Sequence, residues 1–111
     1  MDEEKQKKVY NLLTRIPRGK VVTYKQISDF LELNSARLVG SILHQNPSPD
    51  KFPCHRVVFR DGKLSEKYAF GGLKKQKRKL EQEGVTFVGE KVDMKRSLYN
   101  FVGGSTFSLL D

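Results

Sequence analysis

Two short amphipathic segments separated by a break of three residues stand near the start of this sequence. The first begins at Thr23-Tyr24-Lys25-Gln26, which has the spacing of a capping box. Leu33-Asn34-Ser35 forms the break and supplies good capping residues for a second helix over residues 36–44. Two short helices joined by such a turn have the proportions of a helix-turn-helix. The residues expected to face inward are Ile27, Phe30 and Leu31 in the first helix and Leu38, Val39, Ile42 and Leu43 in the second.

The second helix is the candidate recognition helix, with outward positions at Arg37, Ser41, His44 and Gln45. Arg37 lies in its first turn, the part of a recognition helix that contacts DNA. An ordinary helical hairpin with an exposed arginine would have the same pattern. The net charge of +8 favours polyanionic partners, nucleic acid first. A basic, soluble surface without a partner stays the alternative.

Hairpin and helix signals follow along the chain. Residues 57–64 predict a hairpin with an Asp-Gly turn, and residues 85–94 predict a second one. Apolar side chains recur at helical spacing over residues 3–16, and a basic helix over residues 73–83 ends at Gly84. A hairpin placed after a helix-turn-helix indicates a winged helix.

We therefore expect a single domain, mainly α with small β hairpins, that forms a winged helix-turn-helix over residues 1–101. Residues 102–111 begin with Gly-Gly-Ser and predict a loose tail. No apolar stretch is long enough to span a membrane, and the N-terminus does not have the pattern of a signal peptide. A single cysteine excludes an intramolecular disulfide and a cysteine-rich zinc site, and a free thiol is typical of a reducing compartment.

That cysteine lies in Pro53-Cys54-His55-Arg56-Val57. A lone cysteine is more often a small buried hydrophobe than a nucleophile, but here a proton acceptor is its neighbour. Adjacent residues of an extended segment point to opposite sides, so a water or a local kink would have to carry the proton from Cys54 to His55. Glu81 and Glu83 are the candidates to orient the imidazole. Arg56 is expected to bond backbone carbonyls.

With these residues in view, the sequence resembles the O6-alkylguanine-DNA alkyltransferases. The pentapeptide resembles their active-site motif, and further short motifs occur in the family order over residues 5–101. These motifs are Val22-Thr23-Tyr24, Ala36-Arg37-Leu38-Val39-Gly40, Asn46-Pro47, Pro49, Gly71-Gly72-Leu73 and Glu83-Gly84.

The resemblance implies DNA repair without a cofactor or metal. A protein of this kind binds duplex DNA containing O6-alkylguanine in the minor groove, flips the damaged base out and takes its alkyl group irreversibly. It implies Cys54 as the alkyl acceptor, His55 as the base acting through a water, and Glu83 as the group that orients His55. Asn46 would tie the helix-turn-helix to the cysteine loop.

For DNA and base binding, the resemblance implies Tyr24 at the target phosphate and base, and Arg37 as the finger that fills the space left by the base. Gly40 would let the recognition helix lie close to the groove, flanked by Ala36 and Ser41 as further contacts. The backbone groups of Cys54, Val57 and Phe70 would read the guanine.

The sequence also departs from the family pattern. Phe70 stands where the family often has a small residue, and the extra N-terminal domain of the larger members does not occur in this sequence. The length and ending resemble the alkyltransferase-like proteins, which carry Trp at the position of Cys54 and bind alkylated DNA without repairing it. The resemblance thus leaves two functions open, repair and recognition. It implies a monomer, with clustering on DNA as an option, in the cytoplasm of a prokaryote or the nucleus of a eukaryote.

Overall fold

The computed structural model of the protein describes residues 3–101, and the predicted tail lies outside the described residues. Helix α1 spans Glu3–Leu13. The helix is shorter than the predicted range 3–16, because the amides of residues 14–16 donate to carbonyls three residues earlier, as in a 3-10 turn. Its apolar side packs in a core with α2, Tyr24–Phe30, and α3, Ala36–His44.

Helices α2 and α3 form the predicted helix-turn-helix, and local caps define its ends. The Thr23 hydroxyl accepts from the Gln26 amide while the Gln26 side chain accepts from the Thr23 amide, so the capping box is complete. The Ser35 hydroxyl accepts from the Leu38 amide at the start of α3. The buried Ser28 hydroxyl accepts from the Ser35 amide and thereby fixes the turn.

The predicted hairpin over residues 57–64 is wrong. Strand β2, Val57–Val58, instead pairs in parallel with β1, Val22–Thr23. The Asp-Gly turn does form, since the Phe59 amide donates to the Lys63 carbonyl. Leu64 is buried but belongs to no strand.

The second predicted hairpin is confirmed. Strands β3, Phe87–Val88, and β4, Lys91–Val92, pair antiparallel. The Val92 amide donates to the Gly62 carbonyl, which holds the Asp-Gly turn against β4. Gly62 has a φ of +93°, and a Cβ there would meet the Val92 carbonyl oxygen, so glycine is required by both conformation and space.

Helix α4 spans Gly72–Gln82 and ends before Gly84, as predicted. A short helix α5, Met94–Ser97, was not predicted. After it, the Tyr99 amide donates to the Val21 carbonyl, which returns the chain to β1. The fold is therefore mainly helical, a winged helix-turn-helix with small strand pairs.

Two apolar clusters make the core. One joins α1, α2, α3 and Cys54, and the other joins Val58 and Leu80 to the β3–β4 hairpin. The cysteine segment lies at the boundary between them, fixed from both sides. Within residues 3–101, no helix has the length and apolar character that crossing a membrane requires.

Candidate active site

Cys54 lies on a sharp bend in the chain. Pro53 has φ −73° and ψ 71°, the geometry of an inverse γ-turn, and the Cys54 amide donates to the Phe52 carbonyl at 2.7 Å. A single 3-10 turn, Cys54–Arg56, follows. The segment thus has the local kink that was one of the two expected alternatives, with φ of Pro53 restricted by its ring. The bend buries Cys54, whose exposed fraction is 5%.

One carboxylate organises the polar groups behind the cysteine. Glu83 Oε2 lies 2.9 Å from His55 Nε2, and Arg56 donates from Nε to Oε1 at 2.8 Å and from Nη2 to Oε2 at 2.9 Å. Arg56 also donates to the Ile16 carbonyl. The expectation that Arg56 bonds backbone carbonyls is confirmed for one bond, whereas the other two go to Glu83. Of the two candidate carboxylates, Glu83 is therefore the one that contacts His55, whereas Glu81 is exposed.

The proton positions in this cluster follow from its charges. Burial alone would raise the pKa of Glu83, but hydrogen bonds from Arg56 and His55 outweigh it, and the pKa lies below its ordinary value. A carboxylate only accepts hydrogen bonds, so His55 carries its proton on Nε2. Burial lowers the pKa of His55 despite the pull of Glu83, which leaves the imidazole neutral.

The other ring nitrogen of His55, Nδ1, has a lone pair that is available to accept a proton. Nδ1 is buried and has no hydrogen-bond partner among the described residues. A neutral imidazole with an unpaired lone pair can accept a proton. The cluster therefore has the composition of a general base with an orienting carboxylate.

Asn46 links α3 to the cysteine turn. Its side-chain amide donates to the Phe52 carbonyl at 2.8 Å and its oxygen accepts from the Ser48 amide. Burial raises the pKa of the Cys54 thiol, and a hydrogen bond with Asn46 and the positive charge of Lys79 oppose that rise. The resting cysteine is therefore a thiol whose proton must be removed before it can act as a nucleophile.

A cavity of about 580 Å³ opens over Cys54 between α3 and the loop before α4. The half-buried Tyr24 ring packs against the exposed Phe59 ring with centroids 5.1 Å apart, and both line the cavity. Further lining residues are Ala36, Arg37, Gly40, Ser41, His44, Ser65, Lys67 and Tyr68.

Most of the residues singled out in the sequence meet at this cavity. The lining includes Tyr24, Ala36, Arg37, Gly40, Ser41 and Cys54. Asn46 bonds the segment before Cys54, and Glu83 contacts His55, the residue after it. Val57 and Phe70 are not among the lining residues. Val57 is fully buried, and its carbonyl accepts from Gln76, while Phe70 packs against Tyr68.

Four residues near the site were not singled out in the sequence. Phe59 and Tyr68 line the cavity. The buried Gln76 side chain donates to the His55 and Val57 carbonyls and accepts from the Ser65 amide. Lys79 donates to the Tyr68 hydroxyl. Of these four residues, only Gln76 had a signal in the sequence: it is an uncharged polar residue that interrupts the basic run of α4, on the side of the helix that is buried.

Over residues 3–101, no cluster of three or more His, Cys, Asp or Glu side chains could hold a metal ion.

Similarity to known proteins supports a specific family. Residues 4–85 match the family model described as 6-O-methylguanine DNA methyltransferase, DNA binding domain. The methylated-DNA–protein-cysteine methyltransferase of Methanothermobacter thermautotrophicus is 38% identical over 87 residues, which are 78% of this chain and 48% of that protein. Alkyltransferase-like protein 1 of Schizosaccharomyces pombe is 38% identical over 79 residues, which are 70% of this chain and 73% of that protein.

Two solved structures of proteins in complex with DNA are also similar to this chain. The S. pombe protein Atl1, in complex with damaged DNA containing O6-carboxymethylguanine, has a TM-score of 0.78 and 30% identity, covering 91% of this chain and 99% of that one. The Mycobacterium tuberculosis protein OGT, in complex with DNA, has a TM-score of 0.68 and 32% identity, covering 75% of this chain and 51% of that one. The chain spans about half the length, or less, of the first methyltransferase relatives it matches. The protein belongs to the family of the 6-O-methylguanine DNA methyltransferase DNA-binding domain.

Proposed function

We propose that this protein repairs O6-alkylguanine in duplex DNA by moving the alkyl group to Cys54 in a single turnover. The observation that carries the proposal is the cysteine itself: Cys54 lines a cavity large enough for a base, and the next residue, His55, is paired with Glu83. An ordinary structural cysteine needs neither a cavity nor a neighbouring base.

In the proposed reaction, a sulfur lone pair of Cys54 attacks the alkyl carbon in line with its bond to guanine O6. The S–C bond forms, the C–O6 bond breaks, and its electron pair stays on the guanine. The thiol proton passes to His55 Nδ1 through a water, and a proton returns to the guanine, so the products are guanine and a thioether. Since the thioether is stable, each molecule reacts once.

The charges of the site define the starting state of these proton transfers, and they make the first one uphill, since the pKa of the donor Cys54 is raised and that of the acceptor His55 is lowered. The raised pKa of Cys54 keeps the resting thiol protonated, and the neutral His55 has an acceptor nitrogen. As His55 becomes positive, Glu83 gains a favourable charge interaction with it at 2.9 Å. The protonated resting thiol should also oxidise slowly, because a thiol is less reactive than a thiolate.

DNA binding is part of the proposal. The relatives from S. pombe and M. tuberculosis were crystallised with DNA, and the net charge of +8 favours a polyanion. The exposed Arg37 stands at the start of α3 and lines the cavity, which suits a finger that enters the minor groove and replaces the flipped base. A flipped base would then lie between Tyr24, Arg37 and Cys54.

A second function is favoured by one observation. The S. pombe Atl1 structure matches 91% of this chain with a TM-score of 0.78, whereas the M. tuberculosis protein matches 75% of it with a TM-score of 0.68. The alternative is therefore a recognition protein that binds and flips O6-alkylguanine without repairing it. Cys54 is the residue that separates the two, because recognition does not need a nucleophile.

The test is mass spectrometry of the protein after incubation with duplex DNA containing O6-methylguanine. We expect the peptide with Cys54 to gain the mass of one methyl group, in an amount that never exceeds one per protein. Cys54→Ala should gain nothing and still bind the DNA. Tight binding by the wild type, with Cys54 unmodified, would exclude repair and leave recognition.

A further inference from the structure

Lys79 has an unusual environment next to the cavity. It is half-buried in α4, and no carboxylate lies within ion-pair distance of it in the described part of the chain. Its ammonium instead donates to the Tyr68 hydroxyl at 2.8 Å. It also lies 5.4 Å from the centroid of the Tyr68 ring and 5.9 Å from that of Phe70. The hydrogen bond and these two distances show that the ammonium is held next to both aromatic side chains.

These contacts connect Lys79 to the cysteine. Tyr68 lines the same cavity as Cys54, and its ring packs edge-on against Phe70 with centroids 5.7 Å apart. By bonding Tyr68 and contacting both rings, Lys79 fixes one wall of the cavity. It also places a positive charge behind that wall, at a depth where water screens it less than at the surface.

The other groups around Cys54 are neutral near neutral pH. Burial raises the pKa of Tyr10, Tyr24 and Tyr68, and each rise is increased by the proximity of Cys54. Burial lowers the pKa of His55. None of these four side chains can therefore stabilise a negative sulfur by a full charge.

The remaining charged groups are less suited to that role. Arg37 on α3 and Lys67 in the loop line the cavity but are exposed, so water and salt screen them. Arg56 is paired with Glu83, which largely cancels its charge. The positive charge of Lys79 does act on the thiol, lowering its pKa against the effect of burial.

We propose that Lys79 is a positioning residue of the Cys54 site, which fixes Tyr68 as a wall of the cavity and supplies the positive charge that favours the thiolate. The inference rests on the proposed function, since it gives the thiolate a use, but it concerns a property of the free protein. It can be tested without DNA.

The test measures the rate at which iodoacetamide alkylates Cys54 as a function of pH, followed by mass spectrometry. Sulfur displaces iodide in this reaction, and the thiolate is the reactive form. We expect Lys79→Met and Lys79→Gln to react roughly fivefold more slowly at neutral pH, with profiles displaced to higher pH, because a charge that favours the thiolate is lost. Lys79→Arg should stay near the wild type, and Lys74→Met, exposed on the same helix, should match it.

The outcomes separate this inference from the proposed function. If both neutral variants keep the wild-type profile, or if Lys79→Arg falls as far as they do, the charge of Lys79 has no such role. Methyl transfer from DNA by the wild type would still support repair in that case. Displaced profiles in a protein that takes no methyl group from DNA would support the role of Lys79 and exclude repair.

Discussion

At the scale of single residues, Glu83 has the largest share in the arrangement of the site. Its two oxygens accept from His55 and twice from Arg56, and Arg56 in turn donates to the Ile16 carbonyl after α1. A buried carboxylate with this many donors is stabilised as an anion. The same contacts fix the ring of His55, so a single side chain determines both the tautomer and the orientation of the base.

This cluster predicts how stability depends on pH. The pKa of His55 is lowered in the folded protein from its ordinary 6.5. As pH falls through that ordinary value, the unfolded chain binds a proton that the folded protein does not, so the free energy of unfolding must fall. The slope for one proton is at most about 1.4 kcal/mol per pH unit. Urea unfolding at a series of pH values between about 7.5 and 5.5 should show this decline.

The matched variants are His55→Gln and His44→Gln. The first removes the buried imidazole and should flatten the decline, whatever it does to stability at neutral pH. The second removes an exposed histidine outside the cluster and should leave the decline in place. An equal slope in His55→Gln and the wild type would contradict the neutral, buried state of His55. The lowered pKa of Glu83 adds a further loss of stability only as pH falls through its ordinary 4.5.

At the scale of elements, α3 contains a glycine that the protein's own packing does not explain. A Cβ on Gly40 would meet nothing within 4 Å among the described residues, and glycine inside a helix costs about 0.5–1 kcal/mol relative to alanine. Gly40 also lines the cavity. Its absence of a side chain is useful if another molecule, here the DNA, approaches this face of α3 closely.

We therefore expect opposite effects of Gly40→Ala on stability and binding. The free energy of unfolding should rise by about 0.5–1 kcal/mol, while affinity for duplex DNA should fall because the methyl group occupies the contact space. Urea unfolding and fluorescence anisotropy, both in a Cys54→Ala background, measure the two quantities. Gln82→Ala, exposed at the end of α4, is the control and should leave affinity unchanged. Greater stability with unchanged affinity would show that DNA does not approach Gly40.

The elements also show which parts of the structure are readable from sequence. The ends of α2 and α3 were predictable because Thr23, Gln26 and Ser35 act on amide groups only three residues away. The partner of β2 was not, because Val57 pairs with Val22 far along the chain and the local Asp-Gly turn favoured a hairpin. Local chemistry fixes helix ends, whereas strand pairing depends on which distant backbone is available.

The residues of the site also fall into two groups: those predictable from neighbouring sequence and those that come together only on folding. Cys54 and His55 were visible because they are adjacent. Glu83 was one of two candidates, and the structure separates them because Glu83 contacts His55 whereas Glu81 is exposed. Phe59, Tyr68 and Lys79 each come from a different segment, and the cavity is formed only when the segments pack. Nothing in the local pattern of α4 distinguishes Lys79 from the other lysines of its basic run.

At the scale of the whole molecule, the net charge of +8 attracts DNA at long range, whereas the cavity residues act only on DNA that is already in contact. Phosphate contacts release counterions, so DNA affinity should fall with salt for repair and recognition alike. The basic face of α4 contributes to this field, whereas Arg37 is the basic residue of α3 that also lines the cavity. The two kinds of contribution can therefore be separated by comparing one residue of each kind.

Arg37→Ala and Lys75→Ala provide that comparison. Lys75 is exposed on α4 and outside the cavity lining, so its loss should weaken binding to lesion and normal DNA equally and reduce the salt slope by about one. The transfer rate at saturating DNA should not change. Arg37→Ala should lower that rate by roughly tenfold or more, because an unstacked base costs a few kcal/mol that the inserted side chain no longer offsets. Single-turnover transfer and the fluorescence of a base analogue beside the lesion measure the two effects, and equal losses in both variants would argue against a finger role for Arg37.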